Sequence, residues 1–541
     1  MPFHRPTTTR ARGGRRTATT IAAVAMLVMV PVACSSDAKS AASTSTTRPR
    51  TTTTSTSTTI PPTTTTRPDP TPAIAWKDCG SGFECGTLTV PVDYSAPDTA
   101  TLDLAVSRLP ARDPGHRIGS LVMNFGGPGD PGAETLHDFA STMPAAIRQR
   151  FDLVSFDPRG TGTSKPIDCV DDATMDKVVA QDPTPDTDAE LPTYYKGDLD
   201  GIDMVAACIA KNGDWLAHVG TRNVARDVNQ LRRALGEEKL TYLGFSYGTV
   251  IGAVYAQQFP SNVRALVLDG AVNLSATRLD EATANAVGFE HALKTFLDDC
   301  ASRPSCAFRS GGDPRAALDR LRDRFERGLT LPASYRYRGG ATREGRVGVG
   351  GFYLGILAGL YDQSSWPTLA RALSDATKDD GHLLLAFADA YTGRAVDGHF
   401  DNRSEAISMI NCADDPTPTE SEDAFAADLH TFARAYPFWG RWIAAAPLGC
   451  DVRLPRPTAA EVLGDVRTTG APPVLVVGTT DDPVTPFAGA QDMATRLGGS
   501  VLLTARGTQH AAYAKGNACV DDAVDAYLID LTLPAPGTVC G

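Results

Sequence analysis

Gly244-Phe245-Ser246-Tyr247-Gly248 is a G-x-S-x-G pentapeptide between an apolar run at 240–243 (LTYL) and a helix-like stretch at 249–258. At such a strand–turn–helix elbow the glycines let the chain turn sharply and leave the serine hydroxyl exposed as a nucleophile. A hydroxyl is a weak nucleophile until a base takes its proton, and the base needs a carboxylate to orient it. In chains with this elbow the order is serine, acid, histidine. Of the nine histidines only His510 lies beyond His430, just after a run at 501–504 (VLLT). The preceding run, 474–477 (VLVV), leads into Gly478-Thr479-Thr480-Asp481-Asp482-Pro483-Val484-Thr485-Pro486. Its D-x-x-T-P pattern favours Asp482 as the orienting acid, with Asp481 as the alternative. Acyl transfer also needs donors aimed at the developing oxyanion. Asn124-Phe125-Gly126-Gly127-Pro128-Gly129 ends an early buried run, so the backbone N–H groups of Gly127 and Tyr247 are assigned that role, ahead of Gly126.

These loops need a scaffold, and the sequence supplies one. Runs at 88–92 and 102–109 are β-rich. Continuous apolar runs follow at 120–125, 151–156, 240–243, 265–268, 474–477 and 501–504. Val224, Val228, Leu231 and Leu235 form one apolar stripe of a helix that Gly236 ends. Strands buried on both faces and alternating with helices predict a mostly parallel α/β sheet. Between 273 and 465 the series of buried runs stops, and helical stretches such as 313–325 and 366–377 take over. We expect a large, mainly helical lid inserted into the sheet domain. The core is then 73–272 and 466–541. Asp157-Pro158-Arg159-Gly160-Thr161-Gly162-Thr163-Ser164 ends one strand, and Arg159 is read as tying that loop down.

The front of the chain differs in kind. Arg5, Arg10, Arg12, Arg15 and Arg16 precede a short apolar run at 20–33, too short to span a bilayer, so residues 1–33 read as a signal peptide. Residues 34–72 are mostly Thr, Ser, Pro and Arg, a disordered stalk. Val32-Ala33-Cys34-Ser35-Ser36 resembles the lipobox of bacterial lipoproteins, which makes Cys34 the candidate lipidation site. Ordinary cleavage near Ala33, giving a secreted protein, is the alternative. The 541 residues carry a net charge of −12, but the first 72 carry nine basic against two acidic residues. The remainder, with 42 against 61, has no electrostatic reason to approach nucleic acid. No metal-ligand spacing or nucleotide fingerprint stands out, so no cofactor is expected.

NFGGPG, DPRGTGTS, ARDVNQLRRALGEEKLTYLGFSYGT, VLDG, TTDDPVTP and CVDDAVDAYLIDLTLPAPGTVC resemble the α/β-hydrolase family of actinobacterial tripeptidyl aminopeptidases, within the prolyl-aminopeptidase-like serine peptidases. The likeness runs from about Trp76 to Cys540 and also extends to mycobacterial envelope-associated serine hydrolases. It implies an α/β-hydrolase fold, Ser246 as nucleophile, Asp482 as orienting acid and His510 as general acid–base. It also implies that Thr485 supports the aspartate loop. The family often has Gly before the histidine where this chain has Gln509. An aminopeptidase must recognise a free α-ammonium, which requires carboxylates in the insertion. Asp414, beside Cys412, is the first candidate, followed by Glu281 and Glu290. The predicted activity is the release of short peptides from the N termini of peptides or proteins by an exported enzyme, in membrane contact only through lipid on Cys34. An esterase, lipase or thioesterase with the same triad is the second reading. An idle envelope-binding protein is the third, and the complete triad argues against it.

The eleven cysteines fit this picture. With Cys34 set apart, ten remain, an even number suited to an oxidising compartment. Short spacings and the resemblance imply the pairs Cys79–Cys85, Cys169–Cys208, Cys300–Cys306, Cys412–Cys450 and Cys519–Cys540.

Overall fold

The computed structural model describes residues 73–197, 201–336, 340–445 and 449–541. The leader, the stalk and Cys34 lie outside the described residues. Ten strands make one sheet: β1 (Lys77–Gly80), β2 (Phe83–Pro91), β3 (Thr101–Leu109), β4 (Gly119–Asn124), β5 (Phe151–Phe156), β6 (Leu240–Phe245) and β7 (Val263–Asp269), then β10 (Leu475–Thr479), β11 (Val501–Ala505) and β12 (Val539–Cys540). Their spatial order is β1-β2-β3-β5-β4-β6-β7-β10-β11-β12. Pairing is parallel from β5 to β12, and β1 to β3 join antiparallel at one edge. All eight predicted runs are strands of this sheet, within a few residues of their expected ends.

The two faces follow from side-chain alternation. Leu121, Met123, Leu243, Val267 and Val477 enter one apolar core. Their neighbours Val122, Tyr242, Leu266 and Val476 enter the other, together with the stripe Val224, Val228 and Leu231 of α1 (Thr221–Ala234). Strands inside a sheet that is covered on both sides are mostly apolar, and β4, β5 and β6 are buried at every position.

Between β7 and β10 the chain forms helices with an apolar core of their own, including Phe289, Phe296, Phe352, Trp366 and Trp439. Besides the helices, this stretch holds one element the sequence pattern did not announce. Residues Leu331–Arg336 and Thr342–Val347 pair as an antiparallel hairpin, β8 and β9. Its strands are rich in Arg and alternate buried with exposed positions, so no continuous apolar run announced them. The short edge strands β1 and β12 escaped for a related reason, since they are too brief or too exposed to pattern.

Arg159 closes the loop after β5. Its five N–H groups donate to Asp227 (2.7 Å twice), Val92 O (2.8 Å), His218 O (2.9 Å) and Pro91 O (2.9 Å). The side chain is wholly buried, and a fully paired guanidinium is what makes that tolerable. The five cysteine pairs named above are disulfides. No helix among the described residues is long and apolar enough to cross a membrane.

Candidate active site

β6 ends at Phe245 and α2 (Tyr247–Gln258) begins one residue after Ser246. Ser246 itself sits at φ 53°, ψ −124°, a conformation that side chains rarely adopt. The glycines on either side are dictated by space rather than by flexibility alone. A Cβ on Gly244 would lie 2.4 Å from Gly248 O, and one on Gly248 would lie 2.7 Å from Asn124 O. Turn and oxyanion strand are therefore in backbone contact, which only glycine permits. Thr249 Oγ1 donates to Ser246 O (2.5 Å) and Ser246 N–H to Asp269 O (2.9 Å), fixing the elbow from both sides.

Asp482 and His510 are buried at the ends of neighbouring strands β10 and β11. His510 Nδ1 lies 2.9 Å from each Asp482 oxygen. Asp482 Oδ1 also accepts the N–H groups of Val484 and Thr485 (2.9 Å each). Oδ2 accepts Thr485 Oγ1 (3.1 Å) and Ala511 N–H (3.2 Å). Burial raises the carboxyl pKa, but the histidine and these donors outweigh it and hold Asp482 below the ordinary aspartate value. Asp481 has no such setting: its side chain is 47% exposed and faces His291 at 3.8 Å. Geometry thus favours Asp482 over its neighbour.

One residue organises the site without having been singled out from sequence. Asp269, the last residue of β7, accepts the N–H groups of Ala512 (3.0 and 3.1 Å) and Tyr513 (2.8 Å) with its carboxylate. Next to it, a Cβ on Gly270 would stand 3.2 Å from His510 Cε1 and 3.3 Å from Thr485 Oγ1. The elbow, the acid loop and the histidine loop therefore converge on Asp269-Gly270. The signal was present in VLDG, where an acid ends an otherwise apolar run.

Ser246, Gly127 and Tyr247 border one cavity of about 80 Å³, together with Glu281, Asn285 and Thr485. Gly126 has its N–H committed to Asn124 Oδ1 (3.1 Å), which leaves Gly127 as the loop's candidate donor. Of the three acids proposed for an α-ammonium, only Glu281 reaches this cavity. It projects from α3 (Arg278–Ser302), half-buried, and burial pushes its carboxyl up to about 8, with Arg278 opposing and Asp415 and Asp280 reinforcing. Asn285, one helical turn on, has a buried Oδ1 without a hydrogen-bond partner. Asp414 is a correction: it is buried and its oxygens are taken by Thr221, so it does not face substrate. Glu290 is another, since its Oε2 accepts the N–H groups of Phe438 (3.2 Å) and Trp439 (3.3 Å), away from the cavity. Among the described residues Asp93/His218/Glu461 and Asp182/Asp186/Glu326 bring metal-ligating atoms together, Cys79 and Cys85 beside His137 being tied up in a disulfide, and none of these borders the Ser246 cavity.

A parallel sheet carrying a strained serine elbow, with an acid and a histidine loop on the next strands, defines an α/β hydrolase with a serine nucleophile. Comparison with known proteins agrees. A family model described as TAP-like protein matches residues 436–540, and one described as alpha/beta hydrolase matches residues 205–292. The chain is 38% identical to serine protease Hip1 of Mycobacterium tuberculosis, over 86% of this chain and 91% of that protein. It is 34% identical to carboxylesterase B of Mycobacterium tuberculosis, over 84% of this chain and 86% of that one. To the tripeptidyl aminopeptidase of Streptomyces lividans it is 32% identical, over 86% of each chain. The chain belongs to this tripeptidyl-aminopeptidase-like family of α/β hydrolases and is a serine hydrolase of that fold.

Proposed function

We propose that the protein is an exported aminopeptidase that releases short peptides, of tripeptidyl type, from free N termini. In this reading His510 takes the Ser246 proton as the hydroxyl attacks the scissile carbonyl. Asp482 holds the imidazole and stabilises its charged form. The N–H groups of Gly127 and Tyr247 receive the oxyanion, and His510 gives its proton to the leaving amine as the C–N bond breaks and leaves an acyl-enzyme on Ser246; water, deprotonated by His510, then attacks that ester through a second tetrahedral intermediate and frees the serine. Thr485 steadies Asp482 from the next turn.

The observation that carries the N-terminal preference is the cavity beside Ser246. Glu281 and Asn285 both border it, and Asn285 Oδ1 is buried without a hydrogen-bond partner. A carboxylate and an amide oxygen without donors of their own suit an α-ammonium, which has three N–H groups to give. A cavity of about 80 Å³ is small, and we read the acyl tripeptide as running from Ser246 to its ammonium end at Glu281 under the inserted helices, which then serve as a lid. Export and lipid anchoring through Cys34 place the enzyme at the outer face of a membrane, where disulfides persist.

The deciding experiment compares Ala-Pro-Ala p-nitroanilide, its N-acetylated form and p-nitrophenyl acyl esters. Cleavage lost on N-acetylation is the expected result. Equal cleavage of both peptides would make it an endopeptidase. Activity confined to esters would establish the carboxylesterase reading, which one relative's name favours.

A further inference from the structure

Asp414 is buried behind the site instead of facing it, and its partners suggest why an acid is there. It is the last residue of α4 (Arg403–Asp414) and is 6% exposed. Oδ1 accepts the backbone N–H of Thr221 (2.6 Å), the first residue of α1. That helix starts from Gly220, which has no side chain to cap it, so the carboxylate does so from across the fold. A Cβ on Gly220 would lie 2.8 Å from Asp414 Oδ1, so the close approach requires glycine. Oδ2 accepts the Thr221 hydroxyl, and Thr221 Oγ1 in turn bonds the Tyr247 phenol.

We propose that Asp414 is a positioning residue for the oxyanion hole, acting through Thr221 on Tyr247. Tyr247 follows the nucleophile directly, and its backbone N–H is one of the two assigned donors. When ionised, the Asp414 carboxylate can only accept, so in that form Thr221 O–H points at Asp414 and its oxygen accepts from the phenol. The chain of bonds has one sense and fixes the Tyr247 ring, and with it the first residue of α2. Burial pushes the Asp414 carboxyl up to about 7, against the Thr221 bonds and the nearby Arg222 and Arg278. The Asp414 backbone is held in turn, because its carbonyl accepts Leu463 N–H (2.9 Å) and Cys412, two residues before, is disulfide-bonded to Cys450. The inserted segment thereby reaches the catalytic elbow from behind.

An oxyanion is absent from the bound ground state and develops only as Ser246 attacks, so loss of this support must lower kcat and leave KM alone. The inference rests on the serine-hydrolase chemistry and not on N-terminal selectivity, so p-nitrophenyl acetate tests it whichever peptide the enzyme prefers. Removing a whole oxyanion donor lowers kcat by about 10²–10³-fold. Displacing one should lower it by roughly tenfold. We expect Tyr247→Phe and Thr221→Val each to lower kcat by roughly tenfold with KM within about twofold. The double variant should fall no further, because both cut the same link, and Thr221→Ser should restore most of the rate. Melting temperatures establish that each variant is folded, and Tyr247→Phe, which deletes one oxygen, carries the test if Thr221→Val is not. An unchanged kcat in Tyr247→Phe, a loss that falls on KM, or additive losses in the double variant would each overturn the proposal.

Discussion

Replacing Glu281 by Gln keeps the shape of the side chain and removes the charge meant to hold the substrate's α-ammonium. A hydrogen bond to a charged group contributes about 1.5–3 kcal/mol, which corresponds to roughly a 10–150-fold loss in kcat/KM on peptides with a free N terminus. Ester hydrolysis by the same Ser246 should stay within about twofold, since an acetyl ester has no ammonium. The pH dependence sharpens the expectation. Burial raises the Glu281 carboxyl to about 8, so in the empty cavity it is increasingly protonated as pH falls below that value. An ammonium binds the ionised form, so kcat/KM for free peptides must fall on the acid side of about pH 8. On the alkaline side the substrate's amino group, with an ordinary pKa of about 7.7–8.0, loses its own charge. The peptide profile should therefore peak near pH 8, and the ester profile should lack the Glu281 limb. Stability moves the opposite way. A carboxyl with a raised folded pKa destabilises the fold progressively between its unfolded pKa and about 8, so Glu281→Gln should raise the melting temperature at pH 8 and not at pH 4. The assay is kcat/KM from pH 5.5 to 9 for the peptide and ester, with thermal melts of both proteins. Equal losses on both substrates, or unchanged selectivity against N-acetyl peptide, would refute the assignment.

Ser246→Ala should abolish hydrolysis and fluorophosphonate labelling in a protein that still melts cooperatively, and labelling retained at another serine would move the site. Asp482→Asn should cost roughly 10⁴-fold in kcat by favouring the wrong imidazole tautomer. Asp481→Asn, at an exposed side chain, should stay within about twofold, and a reversal of that order would make Asp481 the orienting acid. Thiol titration of the denatured, unreduced mature protein should find no more than one reactive thiol; two or more would contradict the five bridges.

The parts legible in the sequence were those fixed by local rules. A G-x-S-x-G turn after an apolar run admits few structures, because the contacts at Gly244 and Gly248 forbid any side chain there. Asp482 and His510 each follow a buried strand, and parallel pairing of β10 with β11 brings such loops side by side. Substrate-recognising acids obey no comparable rule. Asp414, Glu281 and Glu290 look alike as carboxylates on helices. Only packing distinguishes a carboxylate capping another helix, one capping a turn at Phe438, and one left facing a cavity. Asn285 was invisible for the same reason: a buried amide oxygen without a partner is a property of its surroundings, not of its sequence neighbours.

The named relatives include a serine protease, an aminopeptidase and a carboxylesterase, all at comparable coverage. Triad and oxyanion hole cannot separate them, since ester and amide are cleaved through oxyanionic tetrahedral intermediates of the same kind. Selectivity must come from groups that touch the acyl chain without touching the reacting carbonyl. We propose α3 as the source of those groups in this chain: Glu281 and Asn285 stand on one helical face, and both border the cavity with Ser246. The same insertion carries Asp414 to the back of Tyr247. Two separate demands therefore converge on one inserted segment, selectivity at the front of the elbow and donor placement behind it. They are separable by experiment, because Glu281→Gln should change which substrates are cleaved, while Tyr247→Phe should slow every substrate by the same factor.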